Sequence, residues 1–277
     1  VSTVDATDPL SFPLGSGLTM VLGEVSAAAG LGKEQVVLVG PQSPTVEFLV
    51  SQVEAHAGRV DIDFGGWISY ESGVTDFAPI VAQVTASGAD AAVFLLSDPE
   101  VQPVVQAIAS EGIDLADTAV FMPGPSASQA DVDELGDGVE GLYFGDYGWP
   151  ASDRDNEGVA AMADAVAATG ADTSDLTSAQ VGGWTAIHVL VDVLKGADDI
   201  DAIDSAALVD LLSKATVTDR PEWTPVDWTA PAFPDAPLNA LRVFTNRALI
   251  TRVVEGKITV VSDGFADVNE PVTTEGP

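Results

Sequence analysis

Side chains that could carry out chemistry are few in this chain, apart from its acids. It holds 43 Asp and Glu residues but only two histidines, His56 and His188, and no cysteine. Catalytic triads and zinc sites usually depend on histidine or cysteine, so neither is expected. His56 stands at a predicted helix end, where it should meet the last carbonyls of the helix. His188 flanks a predicted apolar stripe and should be a packing residue.

Two stretches resemble known ligand loops but lack the decisive residues. "DVDELGDG", from Asp131, is similar to a calcium loop, but Leu135 and Leu142 occupy positions that should supply acidic ligands. "PQSPTVEF", which follows the strand "VVLVG", lacks the glycines of a phosphate-binding loop. We therefore expect no metal and no cofactor. An enzyme is the least favoured class of function.

The charge of the chain limits its partners. The acids outnumber the ten Lys and Arg residues and give a formal charge of −33. Such a field repels nucleic acid and anionic membrane surfaces, so neither is expected as a partner. The acids are spread among residues that are 46% hydrophobic, which is typical of a folded chain rather than a disordered one. Solubility at high salt or a lineage bias explains the charge; attraction of a cationic ligand is the alternative.

The segments that must position a site alternate between strands and helices. The apolar runs "VVLVG", "VDIDF", "DAAVFLL" and "TAVFM" are separated by helical patterns over 45–57, 75–87 and 100–110. This order predicts an α/β fold with a parallel sheet covered by helices on both faces. Ligands of such sheets bind at the carboxyl ends of the strands. The loops starting at Gly40, Ser97 and Pro123 are therefore the places where a site is expected.

The remaining segments have weaker patterns. Helices are predicted over 17–29, after a cap at Ser126 or Ser128, and from a capping box of Ser152 and Asp155 to residue 169. "VEGLYFGDY" predicts a strand, 219–237 an extended connector, and "EGK" a tight turn between antiparallel strands. No apolar run approaches the roughly 20 residues of a membrane span. A further helix is predicted from a stripe formed by Val181, Trp184, Ile187, Val191 and Leu194.

Several of these stretches together carry a family resemblance. "GVTDFAPIVAQVTASGADAAVF" is the most specific, and "GKEQVVLVG", "VEGLYF" and "VGGWTAIHVLVDVLKGA" agree with it. In their order they resemble the type I periplasmic solute-binding proteins of ABC importers, of the branched-chain amino acid and amide class. The resemblance implies a two-lobed fold of parallel sheets flanked by helices. It also implies lobes that close on a small molecule and deliver it to an ABC permease in the membrane.

The resemblance also implies a division of the chain. Residues 1–17 and 149–236 correspond to the first lobe, and residues 18–148 and 237–277 to the second. In the family a further stretch precedes the position of Val1, so we expect the first lobe to be incomplete. The implied location is extracytoplasmic, in the periplasm or at the outer face of the membrane, with a lipid anchor in a segment outside this chain as an option. A monomer is expected.

Ligand contacts are carried over by position in the same resemblance. "VDATDP" resembles a first-lobe loop that holds a carboxylate, although Asp5 stands where a small neutral residue is usual. An acidic residue that binds the ligand's ammonium is replaced by Pro125, so Asp98 would have to take its place. Branched-chain amino acid specificity is therefore open. The candidate ligand-binding residues are Ala6, Thr7, Ser43, Thr45, Ser97, Asp98, Pro125, Ser126, Tyr147 and Trp149.

Each candidate also has an ordinary structural role. Thr7 and Ser126 could cap a turn or a helix, and Asp98 could be a helix N-cap. Tyr147 and Trp149 could pack at the hinge instead of lining the cleft. The leading function is an extracytoplasmic protein that binds a small polar solute, such as an amino acid or amide, for an ABC importer. The alternative is a ligand-sensing domain of a membrane receptor or regulator.

Overall fold

One mixed sheet organises most of the chain. The computed structural model describes residues 7–125, 127–197, 199–235, 238 and 241–274. The helices are α1 Gly17–Gly30, α2 Pro44–Ala57, α3 Ala78–Ser87, α4 Asp98–Glu111, α5 Gln129–Leu135, α6 Glu157–Ala168, α7 Ser178–Lys195 and α8 Ser205–Leu212. The strands are β1 Gln35–Pro41, β2 Asp63–Tyr70, β3 Ala91–Phe94, β4 Ala119–Pro123, β5 Tyr143–Asp146, β6 Thr216–Val217, β7 Val226–Asp227, β8 Arg247–Val254, β9 Lys257–Val260 and β10 Ala266–Asp267.

The sheet has the order β10-β8-β5-β4-β3-β1-β2, and β9 pairs with β8. Strands β1 to β5 are parallel, and β8 joins β5 in the antiparallel sense. Because the connections after β1, β2, β3 and β4 each contain a helix, the carboxyl ends of these strands meet at one edge. The predicted parallel sheet is confirmed.

Alternate residues of each strand enter two different cores. Leu38 and Phe121 pack with helices α1 and α2 on one face of the sheet. Val37 and Met122 pack with helices α3 and α4 on the other. All four side chains are fully buried, and burial of one such side chain stabilises the fold by roughly 1.5–3 kcal/mol. Burial on both faces explains why these strands are continuous apolar runs in the sequence.

The segment from α6 to β7 is built around two tryptophans. Trp223 is buried among Val159, Met162 and Val181, and its indole Nε1 donates to the Leu14 carbonyl at 3.0 Å. Trp228 packs on Val189, and its Nε1 donates to the Pro13 carbonyl at 3.0 Å. The proline-rich connector therefore supplies the anchors of this region. Strands β6 and β7 form a separate two-stranded ladder beside it.

The predicted stripe on α7 is wrong at two of its five positions. Val181 is buried as expected, but Ile187 is 63% exposed and Val191 is 43% exposed. The helix instead buries the face that carries Val181, Thr185 and Val189. This face is buried because it contacts the indoles of Trp223 and Trp228.

Some element boundaries also differ from the prediction. Strand β2 begins at Asp63 and continues through "GGWISY", because Asp61 turns the chain with a φ of 58° just before it. Helix α6 begins at Glu157, so Ser152 and Asp155 do not form its capping box. Asn156 is the cap, and its side chain accepts from the amide of Gly158 at 3.0 Å.

The "EGK" turn is confirmed between β8 and β9. Glu255 and Gly256 have φ values of 52° and 70°, as a two-residue hairpin turn with positive φ at both centres requires. None of the helices in the described ranges has the length and hydropathy to cross a bilayer.

Candidate functional site

A cavity of about 490 Å³ lies at the expected edge of the sheet. Its base is formed where strands end or have just ended, by Pro41, Leu95 and Pro123. Its walls come from the first turns of α1 and α2 and include Met20 and Val46. We call this space the edge cavity. Its position follows from the parallel strands, because their carboxyl ends and the helix starts that follow them converge there.

Apolar side chains make up most of the edge cavity, and its carboxylate is already engaged. Glu100 accepts at Oε2 from the Ser97 amide at 2.7 Å and from the Ser97 hydroxyl at 2.6 Å. Its Oε1 accepts from the Tyr70 hydroxyl at 3.3 Å. Burial, together with the neighbouring Glu100 carboxylate, raises the pKa of Tyr70 well above its usual value, so the phenol keeps its proton. These bonds fix Ser97 and Glu100 as part of the wall.

Apart from the Glu100 carboxylate, which already accepts three hydrogen bonds, the polar groups of the edge cavity are mainly those of helix starts. Helices α1, α2 and α4 all begin beside it, and Gly17 in the first turn of α1 and Ser97 at the N-cap of α4 line it directly. Helix N-termini carry partial positive charge and unpaired amides. No lysine, arginine or histidine is among the described residues that line the cavity. The arrangement suits a small molecule with an apolar body and a negatively charged or polar end.

The candidate residues near the strand ends are placed differently from one another. Ser97 lines the edge cavity. Ser43 caps α2 by accepting from the Val46 amide at 3.2 Å, and Thr45 is exposed in the same turn. Asp98 is the first residue of α4, so its predicted role as N-cap is wrong, because Ser97 holds that position with Glu100 closing the capping box. Pro125 accepts through its carbonyl from the Ala179 amide at 3.1 Å.

Five candidates remain. Ala6 and Ser126 lie outside the described residues, and Thr7 is exposed. The Tyr147 ring packs against Trp223 at 5.2 Å between centroids, and burial raises the pKa of its phenol to about 12. Trp149 donates from Nε1 to Asp153 at 2.7 Å. Of the described candidates, the structure brings Ser97 alone to the edge cavity. A ligand role for every candidate, Ser97 included, stays a prediction.

Two buried carboxyls beside strand β5 were missed by the sequence reasoning. Asp146, at the end of β5, accepts from the amides of Tyr147 at 2.7 Å and Gly148 at 2.9 Å and from the hydroxyl of Ser178 at the start of α7. Burial raises its pKa to about 6. Asp146 therefore ties the end of a sheet strand to the start of α7.

Glu24 lies inside α1 beside the same strand. Its Oε1 accepts from the Gly145 amide at 3.2 Å, whereas its Oε2 is buried with no hydrogen-bond partner. Burial raises the pKa of this carboxyl well above its usual value, and the nearby Asp146 adds to the shift. A single acid within "MVLGEVSAAA" was the signal that could have identified it.

The histidines have structural roles. The prediction that His56 meets the last helix carbonyls is wrong: it is buried, and its Nε2 contacts the Ser26 hydroxyl at 2.8 Å. Burial, and secondarily Arg59, lowers its pKa to about 4. His188 packs against the Trp184 ring at 4.3 Å. Within the described part of the chain, no three His, Asp or Glu residues are grouped to hold a metal ion.

Comparison with known proteins identifies the class. Residues 2–244 match the family described as periplasmic binding protein, so the chain belongs to this family. The sheet order and the helices on both faces are those of the type I solute-binding fold, as the resemblance implied. No curated protein sequence matches the chain significantly.

Solved structures share this fold at low identity. An ABC transporter substrate-binding protein from Sphaerobacter thermophilus has a TM-score of 0.73 and 15% identity, over 98% of this chain and 72% of that one. An R. palustris solute-binding protein in complex with benzoate has a TM-score of 0.70 and 16% identity, over 98% and 69%. A second R. palustris protein, in complex with 4-hydroxybenzoate, has a TM-score of 0.66 and 18% identity, over 92% and 66%. This chain therefore spans about two thirds of the length of such proteins.

Proposed function

We propose that this chain is the solute-binding component of an ABC importer and that it takes a small organic acid with an apolar body at the edge cavity. The observation that carries the proposal is the mostly apolar wall of a cavity of about 490 Å³ at which three helix N-termini converge. Pockets for small ligands are typically apolar with a few convergent polar groups. Neighbours of the same fold that bind benzoate and 4-hydroxybenzoate support this choice of ligand.

An amino acid is a weaker candidate than an apolar acid. Its ammonium group needs a carboxylate or several acceptors when it is buried. Glu100 is the carboxylate at the edge cavity, and it already accepts from Ser97 and Tyr70. At the position where the family commonly supplies an acid, this chain has Pro125. An apolar acid requires no such partner, because its negative end can face the helix N-termini.

Binding is proposed to work by closure of two lobes, divided at residues 1–17 and 149–236 against 18–148 and 237–277. A ligand that contacts both lobes favours the closed state by its higher affinity for that state. The bond between Asp146 and Ser178 supports a junction at this point, because it connects β5 to α7 across a proposed boundary. The protein would act outside the cytoplasm, as a monomer, and deliver its ligand to a membrane permease.

Gly17 offers a sharp test of the ligand site. A Cβ added there meets no atom within 4 Å, and the residue lines the edge cavity at the start of α1. The substitution Gly17→Asp places a carboxylate in the cavity, while an acid in a first helical turn is favourable for the helix. Calorimetric titration with benzoate, 4-hydroxybenzoate and leucine measures the result. We expect Gly17→Asp to weaken binding of the acids about tenfold or more, and Gly17→Asn to weaken it less.

Gly183→Asp is the matched control for the change in net charge. A Cβ at Gly183 in α7 also meets no atom within 4 Å, and this residue does not line the edge cavity. The Gly183→Asp variant should bind benzoate and 4-hydroxybenzoate with the affinity of the parent chain. The proposal fails if none of the three compounds releases or absorbs heat. It fails equally if Gly17→Asp and Gly183→Asp bind benzoate with the same affinity as the parent chain.

A further inference from the structure

A second cavity, of about 260 Å³, lies between α4 and α5. Its floor is formed by Met122 of β4 and Phe144 of β5, both buried, and its walls include Val105 of α4 and Val132 of α5. We call it the α4–α5 cavity. Pro123 lines both this space and the edge cavity, and the first turn of α4 stands between the two. The two cavities are therefore separate sites on opposite sides of α4.

The gap persists because α5 is held from its other side. Gln129 at the start of α5 donates to the Gly256 carbonyl at 2.7 Å and accepts from the Ile258 amide at 3.2 Å. These bonds attach α5 to the turn between β8 and β9 instead of letting it settle on α4. Protein interiors are otherwise closely packed, and a dry apolar cavity of about 150 Å³ already takes up benzene. A space of this size can hold a ring with a short substituent.

The rim of the α4–α5 cavity is acidic. Asp131 and Glu134 of α5 line it, together with the amide side chain of Gln102, and no basic residue is among its described lining residues. Asp131 is partly engaged, since its Oδ2 accepts from the Ser128 amide at 2.9 Å. Glu134 is exposed, and its side chain has no ion pair or hydrogen bond within the described part of the chain. An unpaired carboxylate beside an apolar space is complementary to an ammonium group on an apolar body.

We infer that the α4–α5 cavity is a second small-molecule site, which takes an apolar primary amine with its ring among Val105, Met122 and Phe144 and its ammonium beside Glu134. The rim carboxylates repel an organic acid, whereas the carboxylate of the edge cavity, Glu100, already accepts three hydrogen bonds, so we expect the two cavities to select ligands of opposite charge. The inference does not rest on the proposed function, because a different space and a different ligand are involved.

Benzylamine is the probe, with benzyl alcohol as the neutral molecule of similar shape. Titration of the 277-residue chain, followed by two-dimensional NMR, should give saturable shifts at residues of α4 and α5. We expect Glu134→Gln to weaken benzylamine binding about two- to fivefold, as for a partly solvated charge pair, and to leave benzyl alcohol unchanged. Glu111→Gln, at the exposed far end of α4, is the matched control and should change the binding of neither benzylamine nor benzyl alcohol. Val101→Phe, which fills the cavity, should abolish binding of both.

Saturating benzoate separates this inference from the proposed function. Benzylamine shifts should persist in its presence, whether or not benzoate itself binds. The inference is overturned if benzylamine causes no saturable shifts up to about 10 mM, or if benzoate displaces it. Equal effects of Glu134→Gln and Glu111→Gln would reveal attraction by the whole acidic surface and would also overturn it. Because Glu134 is exposed, its substitution keeps the test valid even if Val101→Phe fails to fold.

Discussion

Acidification should destabilise this protein through one buried ring, that of His56. Its Nε2 contacts the Ser26 hydroxyl at 2.8 Å, and the hydroxyl in turn lies 2.6 Å from the Val268 carbonyl. The hydroxyl has one proton, which it donates to that carbonyl or to the Leu22 carbonyl at 2.9 Å, so we assign to the neutral ring the tautomer that donates from Nε2. Nδ1 is buried without a partner. A second proton on this ring would therefore be buried without an acceptor.

The magnitude follows from the shift in pKa. Folding lowers the pKa of His56 from 6.5 to about 4, so the folded state disfavours the charged ring. The neutral His56 ring contributes fully to stability when the pH is above 6.5, the pKa of the unfolded state. This contribution decreases as the pH falls below 6.5 and is lost by about pH 4, the pKa of the folded state. One pKa unit corresponds to about 1.4 kcal/mol, which limits the total loss to about 3 kcal/mol. At about pH 5 the loss should be about 2 kcal/mol.

Other buried groups act in the opposite direction. Burial raises the pKa of Asp146 to about 6, so acidification in this range stabilises the folded state through that carboxyl. The net pH dependence of the parent chain therefore does not isolate His56. The difference in unfolding free energy between the parent chain and His56→Gln isolates it, because glutamine retains a donor near Ser26 and does not titrate. We expect this variant to be less stable than the parent at neutral pH by about 1–2 kcal/mol, a gap that closes at about pH 5.

Urea unfolding at fixed salt, followed by circular dichroism at both pH values, measures the gap. His188→Gln is the matched control, because it removes the other histidine, which packs on Trp184 at the helix surface. A gap between the parent and His56→Gln that stays constant within about 0.5 kcal/mol from neutral pH to about pH 5 would refute the reasoning.

Two further predictions concern buried and exposed acids. Because the pKa of Glu24 is raised, its burial costs stability as the pH rises above the unfolded value of 4.5, so Glu24→Gln should raise the urea midpoint at about pH 8 and lose this advantage at about pH 4. An unchanged midpoint at the higher pH would contradict the assignment. The net charge is −33, and the described ranges contain three ion pairs, so most carboxylates repel one another without a cationic partner. Raising KCl from about 0.1 to about 2 M should therefore raise the melting temperature by roughly 5–10 °C. Sorbitol at equal osmolality should raise the melting temperature by less than KCl does. An equal rise would show that charge screening is not the cause.

Local patterns predicted much of the architecture correctly. The runs "VVLVG" and "TAVFM" became β1 and β4, because a strand buried on both faces needs consecutive apolar residues. Ser128 caps α5 with Asp131 three residues later, and the Glu255–Gly256 turn closes a hairpin. Each of these features depends on residues within a few positions of one another, which a sequence displays directly.

The site and the polar core required contacts between distant residues. The edge cavity combines Gly17, Pro41 and Pro123, which come together only when the strands are parallel and ordered. Asp146 meets Ser178 across 32 positions, and no local spacing marks that pair. The cavity between α4 and α5 likewise exists because Gln129 bonds to the β8–β9 turn, more than 120 residues away.

Apolar periodicity and short turns are local properties, so the alternation of β1 to β4 with α2 to α4 and the family could be predicted from the sequence. Tertiary structure alone decided which face of α7 is buried, since apolar residues occur on more than one side of that helix. The indoles of Trp223 and Trp228 select the face of Val181 and Val189 and leave Ile187 exposed. It likewise decided that His56 enters the core, because Ser26 and Val268, which surround its Nε2, lie far from it in the chain.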